Sequence, residues 1–351
     1  MRCPETNKGW FNVTTQRAME EYEALAYDTA LSTLVAVLVY VLLKVSVDGY
    51  RQWRARVKVL IVGSGPVGLT AALIAARSGK VRRLVLLEER HRTALLSRPQ
   101  QIALDPGSVR FLLGLGVDFD NMEGCWHNEH FFTKIGVFQE YVLSLLEKKK
   151  QEMDLQIYLG TKFTEEYLKK IPACDLPRVI IVCDGSCGVS SSVLGVSTDY
   201  IVESCNAYGA NAAIERADQR QIMRNIFHQS FNAYKTDIEP RMNDLTIHLL
   251  QCSRRLFEIM LSHRRVTAAY IEGDNVAVTI EGEAARVLNF DTGCGVNFGL
   301  KGLESLDEFI YKMATAVDQN DVFEALSEKI KHAKQIAEDF RLNGLTATMF
   351  Q

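Results

Sequence analysis

The chain alternates between short apolar runs that end in glycine or an acidic residue and longer stretches with helical spacing. The short runs have the length and β-branched content of buried strands, and they cover residues 57–62, 84–87, 179–182, 266–271 and 276–280. Helical spacing follows the first run at residues 69–78 and returns over residues 307–343. This order predicts an α/β fold built on a parallel sheet.

The first glycine cluster follows the run at 57–62, where Gly63, Gly65 and Gly68 form a G-x-G-x-x-G pattern. Gly63 allows a tight turn, Gly65 lets the backbone approach a diphosphate, and Gly68 lets the next helix pack close to the strand. The second run ends at Glu88, whose carboxylate can accept hydrogen bonds from ribose hydroxyls and would repel a 2′-phosphate. The pattern predicts a Rossmann-like site for FAD or NAD, and a purely structural turn is the alternative for the glycines alone.

Two later segments also place glycine or an acidic residue beside an apolar run. The candidate cofactor-binding residues there are Asp184, Gly185, Asp274, Gly293, Gly295 and Asn297. An aspartate after a strand can bind ribityl hydroxyls, and a glycine-rich helix start can direct N–H groups at the pyrimidine edge of a flavin. For Gly273-Asp274 the alternative is a hairpin turn between residues 266–271 and 276–280.

From residue 57 onward, these motifs in this order resemble those of the group A flavoprotein monooxygenases, which are similar to para-hydroxybenzoate hydroxylase and to the MICAL monooxygenase domain. The resemblance implies bound FAD, transient NAD(P)H and oxygen transfer to a small-molecule or protein substrate. It places Arg98 near the ribityl and phosphate groups, and Gln139 beside the cofactor, with Phe138 at the family's arginine position. No side chain is predicted to be a catalytic acid or base, because the chemistry would be that of the flavin.

The chain departs from the family in two regions. Residues 275–292 contain neither the proline nor the histidine that the family has after its third motif. Residues 199–265 are short for a substrate-binding region, and much of this segment has the spacing of amphipathic helices. We therefore predict an FAD-binding domain formed by residues 57–198 and 266–306, a reduced lid at 199–265 and a helical segment at 307–351.

These departures leave two functions open. One is an NAD(P)H-dependent flavin monooxygenase. The other is a catalytically degenerate FAD-binding membrane protein with a redox-sensing or scaffold role. An NAD-linked dehydrogenase would leave the late G-x-G-x-N-x-G motif without a purpose.

The composition of the chain excludes only a few classes of function. The 351 residues are 47% hydrophobic and 24% charged, with a net charge of −3, which is sufficient for one large folded core. The absence of a basic block argues against nucleic acid as a partner. The eight cysteines form no C-x-x-C pair, and no metal site is predicted.

The N-terminal segment, residues 1–56, lies outside the flavin pattern and has a signal of its own. Residues 29–43 carry no charge, and the apolar span reaches residue 47 if Lys44 snorkels toward an interface. That length approaches the roughly 20 residues that cross a bilayer. Acidic residues precede the span and basic residues follow it, so the positive-inside rule predicts a single-pass membrane protein whose flavin domain faces the cytosol. A buried helix packed against the flavin domain is the alternative.

Overall fold

The computed structural model describes residues 9–204, 260–288 and 295–343. The chain divides into two compact units, Met1–Ala55 and Arg56–Gln351, which correspond closely to the predicted boundary at residue 56. In chain order, the described helices are α1 (Gly9–Arg54), α2 (Pro66–Arg77), α3 (Arg92–Leu96), α4 (Pro106–Gly114), α5 (Ile135–Lys149), α6 (Glu165–Lys170), α7 (Ser190–Val193), α8 (Gly295–Gly302), α9 (Leu306–Thr315) and α10 (Gln319–Asn343). The predicted helical pattern at 307–343 is thus confirmed as α9 and α10.

The described strands belong to three sheets. In chain order they are β1 (Val57–Val62), β2 (Val81–Glu88), β3 (Gln101–Leu104), β4 (Cys125–His127), β5 (His130–Lys134), β6 (Asp154–Leu159), β7 (Val179–Val182), β8 (Tyr200–Ser204), β9 (Met260–Arg264), β10 (Ala268–Ile271), β11 (Val276–Ile280) and β12 (Arg286–Leu288). The largest sheet has the order β10-β11-β7-β1-β2-β6. Its strands are parallel except for β10, which pairs antiparallel with β11.

In the first unit, the long helix α1 contains an apolar stretch from Thr29 to Arg51. This stretch has 23 residues and a mean hydropathy of 2.2, so by length and composition it is sufficient to cross a bilayer. Its large apolar side chains are exposed, among them Leu34, Leu38 and Leu42.

The register of the central strands aligns their carboxyl ends at one edge of the main sheet. Val182 of β7 pairs with both Val62 of β1 and Ile280 of β11. Side chains alternate along β1, so Val59 and Ile61 join the apolar core on one face and Leu60 and Val62 join that on the other. Burial on both faces explains why these strands are continuously apolar. The same edge therefore gathers the loops that follow β1, β2, β7 and β11.

The two smaller sheets are antiparallel, with the orders β3-β5-β4 and β12-β9-β8. Strand β9 corrects the helical interpretation of the reduced lid, because Met260–Arg264 pairs with strands on both sides. Backbone pairing with β8 and β12 outweighs the helical spacing of its side chains. The predicted helices over the remainder of the lid lie outside the described residues.

Candidate functional site

A cleft of about 430 Å³ opens at the edge of the main sheet where β1, β2, β7 and β11 end. The predicted site residues that line it are Gly63, Gly65, Glu88, Arg98, Asp184, Gly185 and Gly295. Ligand sites of doubly wound sheets lie outside the carboxyl ends of their strands, as this cleft does. The structure thus brings together motifs that are distant in sequence.

The glycines after β1 form a cradle in which two positions cannot hold a side chain. Gly63 has φ +97°, and a Cβ there would lie 2.4 Å from the carbonyl oxygen of Cys183. A Cβ on Gly68 would lie 2.0 Å from the carbonyl oxygen of Gly63. Gly65 differs, because a Cβ there would meet no atom within 4 Å and would point into open space. The cradle is therefore set by packing at two glycines and left open at the third.

Helix α2 begins at this open position. Gly65 is its N-cap and Pro66 occupies the first turn, where the missing N–H of proline costs no helical hydrogen bond. The unpaired N–H groups of the first turn and the helix dipole favour an anion at this end. Gly79 has φ +66° directly after the helix, as expected for a glycine that ends a helix.

Glu88, the last residue of β2, closes one side of the cradle. Its Oε2 accepts hydrogen bonds from the backbone N–H of Ser64 at 2.8 Å and from Ser64 Oγ at 2.9 Å. Its Oε1 accepts from the N–H of Arg90 at 3.0 Å. The carboxylate is thus fixed beside the glycines and has remaining lone pairs for the hydroxyls of a ribose.

The loop after β7 also lines the cleft. Asp184 Oδ2 accepts a hydrogen bond from the N–H of Ser190 at 2.9 Å, and Gly185 has φ +83°. A Cβ on Gly188 would lie 2.0 Å from Cγ of Asp184, so the loop folds tightly around this carboxylate. Asp184 therefore shapes the loop in addition to lining the cleft.

Three further predicted residues are divided between the cleft and the structure behind it. Arg98 is half-buried and lines the cleft. Gln139 is fully buried behind the glycine loop, where its Nε2 donates to the carbonyl of Ser64 at 2.8 Å. Asn297 is also buried, and its Nδ2 donates to the carbonyl of Ala103 at 2.8 Å. Gln139 and Asn297 therefore support the walls of the site from behind, and neither lines the cleft.

The structure corrects the assignment of Asp274. Ile271 pairs with Val276 across an antiparallel hairpin, and Asn275 in its turn has φ 54°, so the hairpin alternative holds for Gly273-Asp274. Asp274 is exposed at the beginning of β11, whereas the cleft lies at the end of that strand. The apolar run before Gly273 had suggested a strand end at the cofactor, but β10 runs antiparallel to its neighbour and ends at the opposite edge.

The residues that occupy the expected place are Gly282 and Glu283, which follow β11 and line the cleft. The sequence carried a signal for them, because the family has a pair of small residues after this motif and Ala284-Ala285 is such a pair. Gly282-Glu283, nine residues after Gly273-Asp274, therefore lies in the cleft where the third motif was expected.

Glu283 lies beside the start of α8. A Cβ on Gly295 would be 3.6 Å from Glu283 Oε1, and both residues line the cleft. The turn around Gly282 is tightly packed as well, since a Cβ on Gly299 would lie 2.5 Å from Val67 Cγ2 and 3.3 Å from Gly282 Cα. Gly293, the first glycine of the predicted motif, lies outside the described residues.

The residues present fit FAD. One end of the cleft combines the open Gly65, the start of α2 and the fixed carboxylate of Glu88, which suit a diphosphate and a ribose. The other end combines the Glu283 carboxylate with the start of α8, which suit ribityl hydroxyls and the pyrimidine edge of a flavin. These two ends are called below the adenosine end and the flavin end.

Comparisons with known proteins identify a family and proteins of similar structure. The protein family described as "FAD binding domain" matches residues 56–346 of this chain. The flavin-dependent halogenase CmlS is similar in structure, with a TM-score of 0.50 and 15% identity over 82% of this chain and 63% of that chain. p-Nitrophenol 4-monooxygenase PnpA from Pseudomonas putida DLL-E4 has a TM-score of 0.48 and 14% identity over 84% of this chain and 88% of that chain.

No curated protein matches the sequence. The family match covers all the described helices and strands of the unit that carries the cleft, from β1 to α10. The chain belongs to the FAD binding domain family, among the group A flavoproteins that its ordered motifs resemble.

Proposed function

We propose that the protein is an FAD-dependent monooxygenase that takes electrons from NAD(P)H and acts on an organic substrate. The observation that carries the proposal is that one cleft joins the adenosine end, with Gly65 and Glu88, to the flavin end, with Glu283 and Gly295. The chemistry supplied by FAD when bound is the transfer of two electrons from NAD(P)H to dioxygen, with one oxygen atom inserted into the substrate and the other released as water.

The residues of this chain bind and orient the cofactor. In the proposal, the glycine cradle and the start of α2 bind the diphosphate, and Glu88 binds the adenosine ribose. Glu283 binds ribityl hydroxyls, and the start of α8 stabilises negative charge on the pyrimidine edge of the reduced flavin. Arg98 lines the same cleft and supplies positive charge for the phosphates.

The test is the visible spectrum of the purified protein, followed by anaerobic addition of NADPH or NADH. A bound-flavin spectrum that bleaches with the nicotinamide, and recovers with oxygen, is the expected result. Bound flavin that neither nicotinamide reduces would instead support the degenerate FAD-binding protein. A folded protein that takes up no FAD on reconstitution would contradict both functions.

We also propose that α1 anchors the protein in a membrane with the flavin domain in the cytosol. The apolar stretch Thr29–Arg51 and the basic residues Arg51, Arg54 and Arg56 at its carboxyl end support this orientation. Alkaline carbonate should leave the protein in the membrane pellet, because extraction would expose the apolar stretch to water.

Protease added outside sealed microsomes should digest the unit after residue 56 and spare the tail before residue 29. Release of the protein into the carbonate supernatant would contradict the anchor. Protection of the flavin domain from protease would keep the anchor and reverse the orientation.

A further inference from the structure

Three charged side chains meet beneath the flavin end of the cleft. Glu281, Arg286 and Lys329 are only 1%, 4% and 3% exposed. Glu281 precedes the cleft residue Gly282, Arg286 begins β12, and Lys329 comes from the distant helix α10. We call these three residues the Glu281 cluster. Charged side chains are almost never this deeply buried unless they are paired.

Lys329 connects three separate elements through its ammonium group. Its Nζ lies 2.8 Å from Glu281 Oε1, after β11. It donates to the carbonyl of Gly302 at 2.9 Å, at the end of α8, and to Ser305 Oγ at 3.0 Å, before α9. An ammonium group has three protons, so these three acceptors satisfy it completely. Lys329 therefore ties the turn that carries Gly282 and Glu283 to the helix that carries Gly295.

Arg286 packs into the same cluster with less complete hydrogen bonding. Its Nη2 lies 3.6 Å from Glu281 Oε2, and its guanidinium stacks 5.9 Å from the ring centre of Phe298 in α8. Among the described residues, Nε and Nη1 of Arg286 and Oε2 of Glu281 have no hydrogen-bond partner. A Cβ on Gly302 would lie 2.7 Å from Nη1, so the end of α8 packs directly on the guanidinium.

A cluster of this kind is a costly way to stabilise a core. Desolvation of buried charges offsets most of their attraction, and apolar side chains of similar volume are often as stable or more so. Buried ions instead provide geometric specificity, because charged hydrogen bonds fix the relative position of the groups they join. Here the groups joined are the two elements that line the flavin end, so the cluster acts on the geometry of the site.

The position of the cations also matches the polarity of α8. Lys329 and Arg286 both lie at its carboxyl end, next to Gly302, while Gly295 begins the helix at the cleft. Positive charge is favourable at the carboxyl end of a helix dipole. The cluster therefore holds α8 in the direction that presents its amino end to the cleft.

Resting on the proposed function, we infer that Glu281, Arg286 and Lys329 are positioning residues that preorganise the flavin end of the site, separately from the adenosine end. Preorganised groups retain more of their interaction energy on binding because less ordering remains to be done. Loss of the cluster should therefore weaken FAD binding through its flavin half, while ADP, which occupies only the adenosine end, should bind as before.

The experiment compares Lys329→Met, the triple variant with Glu281→Gln, Arg286→Met and Lys329→Met, and Lys312→Met as a matched control. Lys312 is a surface lysine that pairs with Glu328 at 2.6 Å and has no part in the cleft. For each protein, the affinities for FAD and for ADP are measured by titration calorimetry, together with the melting temperature. Lys329→Met leaves Glu281 without its closest cation, whereas the triple variant removes all three buried charges and should recover the melting temperature.

The expected result is that both Lys329 variants bind FAD at least about tenfold more weakly, or about 1.4 kcal/mol, with ADP affinity unchanged. The triple variant should regain stability without regaining FAD affinity, which separates positioning from folding. Unchanged FAD affinity in the triple variant, or an equal loss of FAD and ADP affinity, would overturn the inference. Absence of FAD binding in the wild-type protein would instead overturn the proposed function.

Discussion

The two ends of the cleft differ in how their residues are held. At the adenosine end, Gly63, Gly68 and Glu88 lie within one continuous β1-α2-β2 segment, and outside it Gly63 and Gly68 pack on Cys183. At the flavin end, Glu283 and Gly295 come from separate segments, and Glu281, two residues before Glu283, is joined to α8 by Lys329 from α10. One local segment supplies the residues of the adenosine end, whereas distant parts of the chain supply those of the flavin end.

This difference explains which predicted residues line the cleft and which do not. The adenosine end has a spacing fixed by one turn and one helix, so a pattern of glycines identifies it. At the flavin end, Gly273-Asp274 and Gly282-Glu283 both place glycine before an acid beside strand-like residues. Strand direction separates the two, because β10 is antiparallel to β11 and ends at the wrong edge.

The largest effect should come from the adenosine end, with Gly65→Asp. Gly65 has φ −61°, and a Cβ there meets nothing within 4 Å, so the fold should be preserved. The carboxylate would repel the diphosphate at the start of α2 and weaken FAD binding by about a hundredfold or more, at least about 2.7 kcal/mol. Flavin content, FAD affinity and melting temperature check this.

Gly68→Ala is the contrasting variant for the same cradle. Its Cβ would lie 2.0 Å from the carbonyl oxygen of Gly63, so it should lower the melting temperature itself. If Gly65→Asp retained wild-type FAD affinity, the adenosine end would be misassigned.

An intermediate effect should come from the flavin end, where Glu283→Ala and Asp274→Ala form a matched pair. Both residues are exposed carboxylates after a glycine, but only Glu283 lines the cleft. Loss of a charged hydrogen-bonding partner should cost roughly 1.5–3 kcal/mol, or about tenfold to a hundredfold in FAD affinity. Asp274→Ala should leave the affinity unchanged. The opposite ranking, measured by fluorescence titration, would restore the Gly273-Asp274 assignment.

The smallest effect should be the change that FAD causes in cysteine labelling in the loop after β7. Cys187 is exposed in the cleft, Cys174 is exposed elsewhere, and Cys183 is buried. Burial, with the nearby Glu281 carboxylate, raises the pKa of the Cys183 thiol well above its usual range, so it should stay protonated and react slowly with iodoacetamide. Saturating FAD should slow the labelling of Cys187 several-fold, because the bound cofactor would cover this side chain.

Cys174 provides the internal control, because its labelling rate should not change when FAD is added. Mass spectrometry of the labelled peptides measures each cysteine separately. Equal rates at Cys187 with and without FAD would show that the cofactor does not contact the loop after β7.

Much of the fold could be predicted from the sequence because its signals are local. The apolar run at 57–62, the glycines that follow it and Glu88 lie close together along the chain, and the φ of +97° at Gly63 favours glycine by backbone sterics alone. The apolar stretch beginning at Thr29 was also visible, since bilayer length and the absence of charge are properties of the chain itself.

Tertiary structure decided the remainder because the relevant contacts join residues that are distant in sequence. The spacing near residue 260 suggested a helix, but pairing on both sides makes Met260–Arg264 a strand. Asn297 matched a cofactor motif, but its side-chain amide donates to the carbonyl of Ala103, and the residue lies behind the cleft. Lys329 lies in the helical segment predicted at 307–351, and no motif distinguishes it from the other lysines there. The packing of α10 beside α8 brings the Lys329 ammonium to the Glu281 carboxylate. Both groups are buried away from water, so each needs a charged partner within the protein.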